Sequence, residues 1–315
     1  MFVFRIAIVI LSFLPLLELV ESFRMPPSST GVRYRPSQQC AVGASSASDR
    51  DDVIPDDRLM HSTYDELATR LIRRYQSDAS SNKLKNNQLF VCIAGGPGSG
   101  KSTLSMAVAQ RINEQMLTAS NDIDTGVVIE MAPASVVLPM DGFHYSRAQL
   151  QTIASNSNGK YTYDELLSRR GAPWTFDADG CIAAFTAARQ SGYASLPIYS
   201  RVKSDPIPDG VQLHPTTRIV LLEGNYLLSW DDERWAPLRD NHVFDETWYI
   251  ACKSIAEQRE RLIRRHLETW SDEKTRMFGA GALGAGAKAD ANDMLNLEWI
   301  QEMSLKHADY VIESL

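Results

Sequence analysis

One stretch constrains the fold of this chain more than any other. A short apolar run over residues 89–94 precedes Gly-Gly-Pro-Gly-Ser-Gly-Lys-Ser at 95–102, and a helical pattern starts at Lys101. This order of strand, G-x-x-x-x-G-K-[ST] and helix is that of a phosphate-binding loop, or P-loop. Its glycines let several backbone N–H groups face one anion, and the helix N-terminus adds a favourable dipole. The stretch therefore predicts a site for a nucleoside triphosphate.

The residue types within the loop predict distinct roles. Lys101 is expected to reach the β- and γ-phosphates of ATP, and the Ser102 hydroxyl to occupy one Mg²⁺ position. The predicted nucleotide-binding residues are Gly95, Gly96, Pro97, Gly98, Ser99, Gly100, Lys101, Ser102 and Thr103.

Short apolar runs alternate with helical patterns along the rest of the chain. The strand-like runs are 89–94, 135–140, 218–222, 246–250 and 310–312, and helical patterns include 60–76, 101–112 and 255–269. This alternation predicts an α/β fold with a doubly wound, largely parallel sheet and helices on both faces. Ligands of such folds bind beyond the carboxyl ends of the strands. The Gly/Ala-rich tract at 278–289 is expected to be a flexible surface insertion.

Charge and cysteine content narrow the class of protein. With a net charge of −7 and a pI near 5.4, the chain lacks the basic surface of a protein that coats nucleic acid. Its four cysteines are widely spaced, which predicts neither a disulfide framework nor a zinc site. We expect a small-molecule substrate, with no nucleic acid partner and no membrane association of the mature form.

The N-terminal segment is typical of a targeting sequence. Residues 1–22 contain an apolar run at 6–17 that Pro15 and Glu18 limit, which favours a signal peptide over a membrane anchor. Residues 23–48 hold arginines and serines but no acid, as in a transit peptide. Together they resemble the bipartite plastid presequence of algae with complex plastids, and the alternative is a secreted or other organellar protein with a disordered linker. The kinase-like domain is expected over 59–315.

Two predicted elements carry further chemistry. Asp141 follows the second strand, where its carboxylate either accepts a proton from an attacking hydroxyl or caps the next helix; the spacing leaves both open. The helical pattern after Ile255 places Arg261 and Arg265 on one face, as in a lid that closes over a transferred phosphoryl group, or as in a solvated basic face.

Several ordered motifs resemble the phosphoribulokinase/uridine kinase family, in its nucleoside-kinase-like and pantothenate-kinase-like branch. They are the P-loop, Met-Asp-Gly-Phe-His at 140–144, Arg-Arg-Gly-Ala-Pro-Trp-Thr-Phe-Asp at 169–177, Pro-Ile-Tyr-Ser-Arg at 197–201 and Val-Leu-Leu-Glu-Gly-Asn-Tyr-Leu-Leu at 220–228. The resemblance runs from about Phe90 to the C-terminus. It implies a P-loop fold with a helical lid.

The resemblance also implies roles for single residues. Asp141 would be the catalytic base, Glu223 would lie near Mg²⁺, and Arg261 and Arg265 would belong to the lid. The residues that would line the acceptor pocket are Phe143, His144, Tyr199 and Arg201. Pantothenate kinases carry a histidine where this chain has Arg201, a departure that would suit an anionic acceptor.

These expectations lead to one function and one alternative. The chain is expected to be an ATP- and Mg²⁺-dependent kinase that phosphorylates a hydroxyl of a nucleoside-like, pantothenate-like or sugar/glycerate-like metabolite. The alternative is a nucleotide-binding regulatory or assembly ATPase, which would need neither Asp141 nor an acceptor pocket.

Overall fold

The computed structural model describes residues 60–118 and 132–314. The predicted signal and transit segments, and the start of the predicted domain at residue 59, lie outside the described residues. Among the described helices, none is both long enough and apolar enough to cross a membrane.

A five-stranded parallel sheet forms the centre of the fold, in the order β2-β5-β1-β6-β7. Its strands are β1 (Leu89–Ala94), β2 (Ser135–Pro139), β5 (Ile219–Gly224), β6 (Glu246–Cys252) and β7 (Tyr310–Ser314). All five correspond to predicted apolar runs. Every residue of β1 and β5 is buried, because helices cover both faces of the sheet. The predicted α/β P-loop fold is confirmed.

The helices follow the strands in the expected alternation. The longer ones are α1 (His61–Ser80), α2 (Lys101–Thr118), α3 (Arg147–Asn156), α5 (Ala178–Ser191), α7 (Ile255–Glu268) and α10 (Met294–Ser304), and the shorter ones are α4 (Tyr163–Ser168), α6 (Pro237–Asp240), α8 (Asp272–Phe278) and α9 (Gly281–Lys288).

Strand β1 divides the core into two layers because its side chains alternate between the two faces of the sheet. Val91 and its like-facing neighbours pack with α1 and α2, against Leu71 and Val108. Phe90 faces the opposite layer, where it packs with Phe185 of α5. The sheet is thus held rigidly between helices, with its carboxyl edge free to carry a site.

An antiparallel hairpin outside the main sheet was not predicted. It consists of β3 (Ala194–Ser200) and β4 (Asp205–Leu213), and the predicted pocket residue Tyr199 lies on it. Its burial is mixed rather than alternating, and Pro197, Pro206 and Pro208 obscure the strand pattern.

The expectation of a flexible Gly/Ala insertion at 278–289 is wrong. Residues Gly281–Lys288 form helix α9, which packs against α7 with Gly284, Ala285 and Gly286 buried. A Cβ on Gly284 would lie 2.0 Å from the Gly279 carbonyl oxygen. Gly284 therefore lets helix α9 lie close to the Gly279 main chain, where a larger side chain would not fit.

Candidate active site

An open cavity of about 370 Å³ gathers side chains from the carboxyl edge of the sheet, the hairpin and helices α7 to α10. This volume lies within the usual range for small-molecule sites, about 300–1,000 Å³. Of the predicted site residues, those lining the cavity are Pro97, Lys101, Ser102, Asp141, His144, Tyr199, Arg201, Glu223 and Arg265.

The P-loop occupies the inner end of the cavity. Gly98 and Gly100 have φ angles of +78° and +86°, which residues with a side chain rarely adopt. A Cβ on Gly96 would lie 2.2 Å from Leu297 Cδ1 of α10, so the backbone packs where no side chain fits. The loop leads directly into α2, whose first N–H groups provide anion ligands. The residues present therefore fit a bound triphosphate.

Lys101 closes over this loop. Its Nζ donates a hydrogen bond to the Gly96 carbonyl oxygen at 3.1 Å. Burial lowers the pKa of Lys101, whereas the charges of Glu223 and Asp141 act in the opposite direction. The ammonium group is thus held in a low-dielectric site next to two carboxylates.

Glu223, near the end of β5, is the buried acid of the site. Both of its carboxylate oxygens lie 3.3 Å from the Ser102 hydroxyl, which donates to them. Burial, and then the nearby charge of Asp141, raise the pKa of Glu223 to about 7. Hydroxyl and carboxylate oxygens are suitable ligands for Mg²⁺. The described residues contain no group of three or more His, Cys, Asp or Glu side chains placed to hold a metal, so a metal here would depend on phosphate and water oxygens as well.

Asp141 lies on the short 3₁₀ turn Met140–Phe143 that follows β2. A Cβ on Gly142 would lie 2.0 Å from the Pro197 carbonyl oxygen, so this turn packs tightly against the hairpin strand β3. The Asp141 carboxylate lines the cavity and accepts no hydrogen bond from any residue within the described ranges. Within the described residues, the Asp141 carboxylate is thus available to a ligand in the cavity.

The His144 side chain contacts the main chain of the Asp141 turn. Its Nδ1 lies 2.7 Å from the Asp141 carbonyl oxygen, and because a carbonyl only accepts, Nδ1 carries the proton. The ring lies between Phe176, at a centroid distance of 3.9 Å, and Tyr199, at 4.9 Å. Burial lowers the pKa of His144, so the neutral ring presents an unprotonated Nε2.

Phe143, predicted as pocket wall, does not line the cavity. Its ring packs edge-to-face against Phe185 at 5.7 Å, within the core beneath the site. The main chain of Phe143 connects the Asp141 turn to the 169–177 motif, because its carbonyl accepts a hydrogen bond from the Asp177 N–H.

The hairpin and the Arg-Arg-Gly motif form the opposite wall. Arg170 donates to Asp205 Oδ1 at 2.9 Å and to the Tyr145 carbonyl at 2.7 Å, and its guanidinium lies 5.2 Å from the Tyr199 ring centroid. These contacts fix Tyr199 in place. Arg201, at the hairpin turn, is exposed and lines the cavity.

Helix α7 separates its two predicted lid arginines. Arg265 lines the cavity, where it interacts electrostatically with Asp141 and Arg201. Arg261 does not line it; instead it donates to Ser314 Oγ at 2.9 Å and pairs with Glu257. Of the two arginines, Arg265 therefore faces the site and Arg261 does not, although they lie one helical turn apart.

Sequence reasoning missed several cavity residues on the far side of α7. His266 Nε2 lies 2.9 Å from Asp293 Oδ2, and Asp293 also lies 3.8 Å from Arg265. Lys274 and Lys288 line the same region. The Arg-His pair at 265–266 was visible in the sequence, but no signal linked it to Asp293, to Lys274 or to Lys288 in the Gly/Ala-rich tract.

Comparisons with known proteins place this arrangement in a family. The chain is 30% identical over 262 residues to "Putative uridine kinase C227.14" of Schizosaccharomyces pombe, which covers 81% of this chain and 92% of that protein. It is also 30% identical over 216 residues to "ATP-dependent kinase YFH7" of Eremothecium gossypii, with 59% of each chain covered. No family model matches the chain.

Solved structures agree with these relatives. The crystal structure of a "putative fructose transport system kinase" from Silicibacter sp. TM1040 superimposes with a TM-score of 0.54 at 28% identity, covering 71% of this chain and 89% of that one. Saccharomyces cerevisiae YFH7 has a TM-score of 0.62 at 20% identity, covering 80% and 99%, which supports the shared fold alone.

Proposed function

The chain belongs to the uridine kinase and phosphoribulokinase-like family of P-loop kinases, and we propose that it transfers the γ-phosphate of ATP to a hydroxyl group of a small metabolite. The observation that carries this proposal is the Asp141 carboxylate, which faces the cavity close to the charges of Lys101 and Glu223. A switch or assembly ATPase has no need for a free carboxylate of this kind.

In the proposed transfer, one bond to the γ-phosphorus forms and one breaks. The acceptor oxygen forms a bond to the γ-phosphorus, the bond from that phosphorus to the β–γ bridging oxygen breaks, and ADP leaves. Asp141 takes the hydroxyl proton, while Lys101 and Arg265 offset negative charge on the phosphoryl oxygens.

Ser102 and Glu223 are the residues that would hold Mg²⁺, through their oxygens. The ion would supply charge neutralisation between the β- and γ-phosphates. Because burial raises the pKa of Glu223, its carboxylate is better stabilised with a cation present than without one.

The acceptor would bind between the Asp141 turn and the hairpin. Tyr199 supplies an aromatic wall, His144 an acceptor nitrogen and Arg201 a positive charge. One relative is named "Putative uridine kinase C227.14" and one similar structure is of a "putative fructose transport system kinase", which supports a nucleoside- or sugar-like acceptor. Pantothenate- and glycerate-like acceptors rest on the sequence motifs alone.

The test is ADP release by the full-length chain with Mg-ATP against nucleosides, sugars, pantothenate and glycerate. We expect one acceptor to raise turnover well above the basal rate, and Asp141→Asn to abolish that rise. If no acceptor stimulates and Asp141→Asn hydrolyses ATP like the parent, the regulatory ATPase alternative replaces this proposal.

We also propose a plastid location, on the basis of the presequence composition alone. A fluorescent protein fused after residue 58 should enter the plastid of an alga with complex plastids, whereas secretion of the fusion would contradict this location.

A further inference from the structure

The cavity carries more positive charge than the chain around it. Seven lysine and arginine side chains and five carboxylates line it, although the chain as a whole has a net charge of −7. The excess is not spread evenly, because some of these cations have a carboxylate partner and others have none.

Two cavity arginines are each paired with a carboxylate. Arg147 makes two hydrogen bonds to Glu273, at 3.1 and 2.9 Å, and Arg170 is bonded to Asp205 at 2.9 Å. These pairs connect α3 to α8 and the Arg-Arg-Gly segment to the hairpin. Their charge is already balanced, so they position the walls rather than attract a ligand.

Two lysines at the outer end of the cavity lack such a partner. Among the residues that the structure describes, Lys274 Nζ donates only to the carbonyl and hydroxyl oxygens of Thr269, at 2.6 and 3.0 Å, both of them neutral. Lys288 Nζ has neither a hydrogen bond nor an ion pair within residues 60–118 and 132–314, and lies 5.3 Å from the Phe278 ring centroid.

The nearest carboxylate is already engaged. Asp293 interacts electrostatically with Lys288, but its oxygens bond to His266 at 2.9 Å and approach Arg265 at 3.8 Å. Burial acts to raise the pKa of Asp293, yet His266, Lys288 and Arg265 together lower it. The Asp293 carboxylate is thus shared among Lys288, Arg265 and the His266 imidazole.

The two lysines are also electrostatically unfavourable to each other. Burial lowers the pKa of both Lys274 and Lys288, and the charge of Lys288 lowers that of Lys274 further. An anion between them would relieve the repulsion and replace lost hydration.

The position of this lysine pair relates it to the acceptor and not to ATP. Lys288 interacts with Arg169 of the Arg-Arg-Gly segment, and Lys274 interacts with Arg147, whose main-chain N–H donates to Asp205 at the start of β4. The charged neighbours of Lys101 are instead Glu223, Asp141 and Arg265, and they include neither of the two lysines. Arg265 lies between the two ends, since it interacts with Lys288 as well as with Asp141.

We propose that Lys274 and Lys288 bind an anionic oxygen group, a carboxylate or a phosphate, on the acceptor molecule. The hydroxyl of the acceptor then lies at Asp141, a placement that rests on the proposed kinase function. Helix α9 carries Lys288 at its C-terminal end and packs against α7, where a Cβ on Gly286 would lie 3.2 Å from the Arg259 guanidinium.

The first test measures anion binding with the P-loop already filled. The full-length chain is saturated with Mg²⁺ and a non-hydrolysable ATP analogue, then titrated calorimetrically with inorganic phosphate and with acetate. We expect at least one to bind, and Lys288→Met and Lys274→Met each to weaken binding about tenfold, the usual effect of losing one charge-assisted contact. Arg276→Met is the matched control, because Arg276 lies on α8 beside Lys274 but is exposed and outside the cavity lining.

Absence of binding by both anions, or equal binding by the lysine variants and the parent, would overturn the proposal. Lys288→Arg separates charge from packing, since it should retain most of the affinity that Lys288→Met loses. A higher affinity for phosphate or for acetate identifies which anionic group the site favours.

A second arm compares acceptor pairs that differ by one anionic group: glycerol with glycerate and with glycerol 3-phosphate, and ribose with ribose 5-phosphate. Turnover should favour the charged member, and Lys288→Met should raise its KM while leaving kcat nearly unchanged. If a neutral member is phosphorylated equally well in an Asp141-dependent way, the kinase function stands and the anion site fails. If phosphate binds but no acceptor is turned over, the anion site stands and the kinase function fails.

Discussion

The amino and carboxyl edges of the parallel sheet differ in how their charged side chains are paired. At the amino edge, Glu246 accepts hydrogen bonds from Arg70, Arg74 and the Trp248 indole. The adjacent Asp245 accepts from the Phe90 N–H and from Arg189. At the carboxyl edge, by contrast, charged groups lie close together with few direct partners. Paired charges fix the sheet to its helices, whereas unpaired charges are available to a ligand.

The largest effect is expected from a carboxylate-to-amide change at the carboxyl edge. Asp141→Asn should lower kcat about 10²- to 10⁴-fold, the usual contribution of a general base. Because this carboxylate accepts no hydrogen bond from the part of the chain that the structure describes, the melting temperature should change little. Steady-state ADP release and thermal unfolding measure the two quantities, and a large loss of stability would contradict the contrast between the edges.

The same chemical change at the amino edge should have the opposite result. Glu246→Gln removes the buried anion that Arg70 and Arg74 share. Because both arginine side chains are about a third exposed, the free energy of unfolding should fall by about 2–3 kcal/mol. Urea denaturation measures this loss. The kcat of the folded fraction should equal that of the parent, and a selective fall in kcat would show that this edge also serves the site.

Glu223 should make stability depend on pH in the metal-free protein. A carboxyl group with a raised pKa in the folded chain stabilises it below the unfolded value of 4.5, and this contribution is lost as pH rises through about 7. The loss is on the order of 3 kcal/mol, from about 1.4 kcal/mol per pKa unit. Urea unfolding of the parent and of Glu223→Gln in EDTA, from pH 4.5 to 8, should show the decline in the parent only.

The smallest effect concerns helix α9. Gly284→Ala should lower the free energy of unfolding by about 1–2 kcal/mol, because overpacking outweighs the gain in helix propensity. The added methyl group would lie 2.0 Å from the Gly279 carbonyl oxygen and 2.9 Å from Trp270. Ala287→Ser, at an exposed position of the same helix, serves as the control. A more stable Gly284→Ala protein would show that the close approach is not restrictive.

The sequence predicted the central sheet well, for a physical reason. Strands such as Leu89–Ala94 are buried on both faces and so consist of continuous apolar runs with little resemblance to loops. The P-loop was equally visible, because its glycines meet a backbone requirement that few other residues satisfy. The roles predicted for Asp141, Glu223, Tyr199 and Arg201 remain predictions, although all four line one cavity.

The parts that were missed depend on contacts between distant segments. The hairpin around Tyr199 is partly exposed and proline-rich, so its strands leave no clear periodicity. Arg261 and Arg265 share a helix face in projection, but Ser314 at the end of β7 draws Arg261 away from the cavity. Lys288 gave no signal, because the sequence does not show which carboxylates lie near a lysine or which of them are already bonded to other groups.

Helix α9 also bears on how composition relates to information. A segment made almost entirely of glycine and alanine has few residue types, yet a Cβ at its buried Gly284 would lie only 2.0 Å from the Gly279 carbonyl oxygen. Replacing it with a glycine–serine linker of equal length would keep the composition simple and remove the wall that carries Lys288. In this chain, simplicity of composition therefore records a tight steric specification.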